Sequence, residues 1–188
     1  MKRNLTKALL LGGLLAAGCS LALAEHDDDE HQRSAGRVIS LDVAPVNNEQ
    51  YQSECGACHM AYQPGLLPAR SWVRLMAALS DHFGEDVELA PPVRKTLTKY
   101  LVQFAADGAP YRRSERIMQS LSEANDAPLR ITETRYIARE HREIPARLVT
   151  ANAEVKSLSN CPACHLRAEQ GSYREREIRI PGAGRWED

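Results

Sequence analysis

The sequence predicts a mainly α-helical chain of two small helical units joined by irregular loops. Three observations carry that expectation. Apolar residues recur at helical spacing in short runs, notably Trp72, Met76, Leu79 and Phe83, then Val93, Leu97, Tyr100, Leu101 and Phe104. No two alternating runs joined by a turn suggest a sheet. One pentapeptide pattern occurs twice, once in each half: Cys55-Gly56-Ala57-Cys58-His59 and Cys161-Pro162-Ala163-Cys164-His165.

Residues 1–24 read as a secretory signal peptide. Lys2, Arg3 and Lys7 precede an apolar stretch from Leu9 to Ala17 that is too short to span a bilayer, and Ala22-Leu23-Ala24 is an A-x-A cleavage site. Ala16-Ala17-Gly18-Cys19 offers the alternative of a lipobox with Cys19 lipidated, although a larger aliphatic usually stands where Ala16 does. The soluble, periplasmic form is the expectation. Residues 25–37 are acidic and lack apolar periodicity, so they read as a flexible tail, with His26 and His31 solvated inside it.

Two helical units follow, 38–107 and 108–188, divided at Asp107-Gly108-Ala109-Pro110. In the first, Ser71 is placed to cap a helix from Trp72 to Phe83 that Gly84 ends, and Pro91-Pro92 opens a second. In the second, Ser114 is placed to cap a helix carrying Ile117, Met118 and Leu121. Further helices are expected from Thr132 to Arg142, from Pro145 to Val149 and just after Cys164, with residues 172–188 as an irregular wrap.

Composition adds a constraint. The chain of 188 residues is 43% apolar and 26% charged, as soluble globular proteins are, but only 5% aromatic, with two Phe and two Trp. Its interior must be filled by aliphatics or by something other than protein. Net charge is −1, and −4 once the signal peptide leaves, so there is no basic footprint for nucleic acid.

C-x-x-C followed directly by His is the attachment signature of c-type haem. Two thiols meet the two vinyl groups on one porphyrin edge, and the adjacent imidazole meets the iron from one face; a helical turn starting at the first Cys supplies that geometry. Two disulfides or a four-thiolate zinc site would leave both histidines without a role, and a thioredoxin-like motif needs an alternating strand–helix pattern that is absent. The reading is two covalent haem c groups, held by Cys55 and Cys58, and by Cys161 and Cys164. Two irons have four axial positions, and outside the tail there are four histidines: His59, His82, His141 and His165. Similar spacing within each half pairs His59 with His82 and His165 with His141, while crossed pairing between the halves stays open. Met is the rival distal ligand. Met76 and Met118 are the candidates, although both fit apolar helical stripes. The second half offers Arg112, Arg113, Arg116, Arg130, Arg135, Arg139, Arg142 and Arg147 as partners for haem propionates, and Arg135 and Arg139, which share a helix with His141, are the expected ones.

The stretches Leu66-Leu67-Pro68-Ala69-Arg70-Ser71-Trp72 and Asp81-His82-Phe83-Gly84, Arg135-Tyr136-Ile137 leading to His141, and Arg174-Glu175-Arg176-Glu177-Ile178 stand beside the two haem motifs. From about Tyr51 to Pro181 the chain thereby resembles the bacterial dihaem cytochrome c family whose members pair with a small oxygen-binding high-spin cytochrome c. The resemblance implies two cytochrome-c-like helical haem domains, bis-histidine irons and a periplasmic electron carrier. It also implies a membrane cytochrome b as donor and a soluble haem protein as acceptor. An iron with both axial positions filled by protein has nowhere to bind substrate, so no enzyme activity is expected. The alternatives are a dihaem subunit of a periplasmic reductase and a dihaem peroxidase.

Overall fold

Asn48 starts the first helix by accepting the Tyr51 backbone N–H at 2.8 Å, with Glu49 in the first turn where the helix dipole favours an acid. This helix, α1 (Glu49–Cys55), is the first element of a computed structural model that describes residues 41–122 and 126–186. The signal peptide, the lipobox at Cys19 and the tail with His26 and His31 lie outside the described residues. The remaining helices are α2 (Ala69–Ala77), α3 (Pro91–Gln103), α4 (Arg112–Ser120), α5 (Arg135–Glu140) and α6 (Cys161–Cys164), separated by single 3-10 turns. The fold is mostly helical, as expected.

Helix α2 has no side-chain cap of its own. Asp107 supplies one from the far end of the first half, accepting the Ala69 N–H at 2.6 Å and pairing with Arg70 at 3.7 Å. Ser71 is therefore not a cap; it lies inside α2, fully buried. Ser114 likewise sits within α4, and its hydroxyl donates to the Gly65 carbonyl at 2.8 Å, tying α4 to the Pro64–Leu66 turn.

The helix expected over 72–83 stops at Ala77, and a 3-10 turn, Leu79–Asp81, follows. The apolar stripe runs on, but local turn chemistry prevails: the Asp81 carboxylate accepts the Gly84 N–H at 3.0 Å, and both Phe83 and Gly84 take positive φ. The expected Thr132–Arg142 helix is similarly a 3-10 turn, Ile131–Glu133, followed by the shorter α5. The C-terminal wrap contains a small antiparallel hairpin that the sequence did not suggest, β1 (Arg179–Ile180) with β2 (Gly184–Arg185), turned through Gly182 at φ 75°.

Two apolar clusters form the interior. One joins Tyr51, Leu67, Trp72, Leu75, Met76, Leu79, Leu97, Leu101 and Ala105, with α2 packed on α3 and with Leu129 and Ile131 against it. The other joins Val43 and Leu66 to Ile117, Tyr136, Ile137, Ala168 and Tyr173. Each cluster thus draws on residues from both sides of position 107. Among the described residues no helix is long and apolar enough to cross a membrane.

Candidate functional site

The two C-x-x-C-H motifs sit differently on their helices. Cys55 is the last residue of α1, and Gly56 caps it, its N–H bonded to the Gln52 carbonyl at 2.9 Å. A Cβ at Gly56 would lie 2.2 Å from that oxygen, so only glycine fits the turn that leads out to Cys58 and His59. The second motif is itself a helical turn, α6, and His165 closes it by donating its N–H to the Cys161 carbonyl at 2.8 Å. A helical turn starting at the first Cys therefore holds for the second motif alone. The middle residues explain the difference: glycine ends helices, whereas Pro162 at the start of α6 favours opening one.

The histidines meet in two pairs within the halves of the chain. His59 and His82 face each other with ring centres 6.4 Å apart and planes 25° apart, and His141 and His165 with centres 6.0 Å apart and planes 68° apart. Two metal–imidazole bonds of about 2 Å on opposite sides of one metal would set ring centres about 6 Å apart. No crossed pair appears among the ring contacts of the described residues. Met76 is packed in the first apolar cluster, and Met118 is half-buried on α4.

Local structure orients these rings. Nδ1 of His59 lies 2.8 Å from the Met60 carbonyl, and Nδ1 of His141 lies 2.8 Å from the Ile137 carbonyl. A carbonyl only accepts, so each Nδ1 carries the proton and each Nε2 keeps its lone pair free. His82 is held by reciprocal backbone bonds with Glu85, at 2.7 and 3.3 Å, and Phe83 packs edge-on against its ring at 4.8 Å. Burial, with smaller contributions from His141 and Arg113, pulls the His165 pKa down to about 4. Burial, then His59 and Arg130, lowers that of His82. Both are held as neutral imidazole, the form that binds a metal.

Burial also keeps three of the four thiols protonated. Burial, aided at Cys55 by Glu54, raises Cys55 to about 11; burial raises Cys161 to about 11 and lifts Cys164 as well. All four are free cysteines, and among the described residues no three His, Cys, Asp or Glu side chains gather as a metal-binding group.

Haem fits these surroundings. A cavity of about 400 Å³ is lined by Cys161, Cys164, His165, His141, Tyr173 and Arg113. Two buried polar atoms at it, His165 Nδ1 and Arg113 Nε, have no protein partner. Arg135 and Arg139, expected to serve propionates, do not line it; Arg139 pairs with Glu140 at 3.3 Å. They share a helix with His141 but stand six and two residues from it, on other faces. Arg113 faces the cavity instead, its guanidinium 5.1 Å from the Tyr173 ring centre and donating to the Tyr173 carbonyl at 3.2 Å. Its four-residue spacing from the fully buried Ile117 was the available signal.

The dihaem cytochrome c family profile matches residues 51–173. The chain belongs to the dihaem cytochrome c family. Among solved structures, a dihaem cytochrome c from Shewanella baltica is 41% identical with a TM-score of 0.62, over 74% of this chain and 98% of that one. One from Rhodobacter sphaeroides is 42% identical with a TM-score of 0.61, over 70% of this chain and all of that one. No curated protein matches the chain. As a dihaem cytochrome c it carries two covalently bound haem c groups, and electron transfer is the activity that family implies.

Proposed function

We propose that this cytochrome is an electron carrier with two closed, bis-histidine irons: His59 and His82 hold the first, His165 and His141 the second. Cys55 and Cys58 anchor the first haem, Cys161 and Cys164 the second. One observation carries the reading, namely two imidazole pairs at the separation one metal needs, each with a ring whose Nδ1 is fixed by a backbone carbonyl. When bound, each haem supplies one-electron chemistry at its iron. The chain's part is to present the four imidazoles that would hold the irons, keep their rings fixed and leave no site for substrate. Exclusion of substrate favours a carrier over a dihaem peroxidase, which needs an iron able to open.

The signal-peptide grammar of residues 1–24 supports export to the periplasm. Family membership supports a membrane cytochrome b as donor and a small oxygen-binding cytochrome c as acceptor, with a reductase subunit as the alternative assignment. Carbon monoxide added to the reduced holoprotein tests the carrier reading: no spectral change is expected, and binding at either iron contradicts it. Co-purification from native membranes tests the partners. A cytochrome b that reduces the protein in the membrane fraction is expected, and recovery with a molybdenum or other reductase subunit would replace that assignment.

A further inference from the structure

Between the paired histidines of the two sites lies a dipeptide that touches both. The Tyr62 ring stacks on His59, centre to centre 4.8 Å and 27° between planes. Its hydroxyl donates to the Ser159 carbonyl at 2.6 Å, and that carbonyl oxygen is 3.6 Å from Cys161 Sγ. The next residue, Gln63, is fully buried and bonded at both ends of its amide. Its Nε2 donates to the Ala168 carbonyl at 2.6 Å, and its Oε1 accepts the Tyr173 hydroxyl at 2.7 Å. The Tyr173 ring packs edge-on against His165 at 5.3 Å. A glutamine wholly inside a protein is costly unless both polar ends are satisfied, and an aliphatic would fill this position more simply.

We propose that Tyr62 and Gln63 form the electronic bridge between the two haem sites. The proposal rests on the ligand reading above, with His59 on one iron and His165 on the other. Two unbroken routes then run between the sites: His59, Tyr62, Ser159 and Cys161; and His59, Tyr62, Gln63, Tyr173 and His165. Each consists of covalent bonds, hydrogen bonds and ring contacts, across which electronic coupling falls less steeply than across empty space. One electron leaves the first iron, ferrous to ferric, and reaches the second, ferric to ferrous, or the reverse. No proton or atom moves, and neither tyrosine is oxidised. Both are bridging residues and touch no substrate. Burial of Gln63 and Tyr173 keeps water from the path and fixes its geometry.

The test is the rate of intramolecular electron exchange in half-reduced, dilute holoprotein, read from the haem-methyl lineshapes in NMR. Potentials are measured for each variant so that driving force is separated from coupling. Tyr62→Phe keeps the stack on His59 and removes the link to Ser159. Gln63→Met removes the link to Tyr173, and Tyr62→Leu removes the stack. Several-fold slower exchange is expected in the first two and the slowest in Tyr62→Leu, while Tyr100→Phe, outside both routes, keeps the native rate. If Tyr62→Leu fails to take up two haems, Tyr62→Phe and Gln63→Met decide the matter. Native exchange rates in both, with both irons still low-spin, overturn the bridge and reduce these contacts to structural ties. An iron that is high-spin in the unaltered protein overturns the ligand reading instead.

Discussion

Arg113 places a positive charge beside the Cys161–His165 site, stacked on Tyr173 and half-buried. Ferric haem is one unit more positive than ferrous, so a nearby cation favours reduction. A unit charge about 10 Å away in an effective dielectric of about 20 interacts by roughly 1–2 kcal/mol. Arg113→Gln should therefore lower the midpoint potential of the second haem by tens of millivolts and leave the first nearly unchanged. Arg139→Gln removes a charge that does not line the cavity and is paired with Glu140, so its effect on the second haem should be the smaller of the two. A redox titration of the two variants checks both statements, and a larger shift in Arg139→Gln than in Arg113→Gln would reverse the assignment. Histidine variants separate the two irons in the same way. His82→Ala should open the first iron alone and His141→Ala the second alone, each giving carbon monoxide binding at one haem per chain. Loss of both low-spin spectra in either variant would mean that the pairs are not independent.

Gly171 and Gly84 both take positive φ, but their surroundings differ. A Cβ on Gly171 would lie 2.2 Å from the Val43 carbonyl oxygen, and the Gly171 carbonyl itself accepts the N–H groups of Asp42 and Val43. A Cβ on Gly84 meets nothing within 4 Å. Gly84→Ala should cost only left-handed strain, about 1–2 kcal/mol. Gly171→Ala adds a backbone clash and should cost more, about 3 kcal/mol or above. Denaturant unfolding of the holoproteins measures the difference. At this scale, helical periodicity in the sequence located α2 to α5, and the haem motif located α6. Boundaries were less legible where partners distant in sequence decide them. Asp107 caps α2 from 38 residues away, so Ser71 was free to be buried, and Ser114 was drawn to Gly65 instead of its own helix. The short α1 and the hairpin after Ile180 carry too few residues to show a period. The two histidine pairs that the structure brings together were legible because four histidines matched the four axial positions expected of two irons. Tyr62, Gln63 and Tyr173 were not, because they gather from separate segments and form no motif, and Arg113 stood out from the other arginines of its half only by its spacing from Ile117.

The scarcity of Phe and Trp makes sense for the whole molecule once two porphyrins join the interior. Removing the second haem by replacing Cys161 and Cys164 with Ser would leave a cavity of about 400 Å³. An unfilled space of that size should cost several kcal/mol, against a total stability of about 5–15 kcal/mol. Circular dichroism of that variant should show loss of helix and a non-cooperative melt; a native-like melt would show that the chain folds without its cofactor. Alkaline pH offers a second test. Burial raises the phenol pKa of Tyr51 and of Tyr173 above the ordinary value of 10.0. The folded chain then keeps protons that the unfolded chain releases, so stability is full below pH 10 and falls as pH rises past it. Thermal melts should drop above that pH. Tyr51→Phe should blunt the drop at a cost of about 1 kcal/mol near neutrality, for the lost bond to the Tyr62 carbonyl.

Electron paramagnetic resonance of the fully oxidised protein tests the paired-imidazole irons most directly, because the signal reports the relative orientation of the two rings. Nearly parallel imidazole planes split the iron π orbitals and give a rhombic low-spin signal. Nearly perpendicular planes leave those orbitals close in energy and give a broad signal with one large g value. With planes 25° apart at His59 and His82 and 68° apart at His141 and His165, one signal of each kind is expected, in equal amounts and with no high-spin component. A high-spin ferric signal from the native protein, or a single low-spin species accounting for both irons, would contradict it.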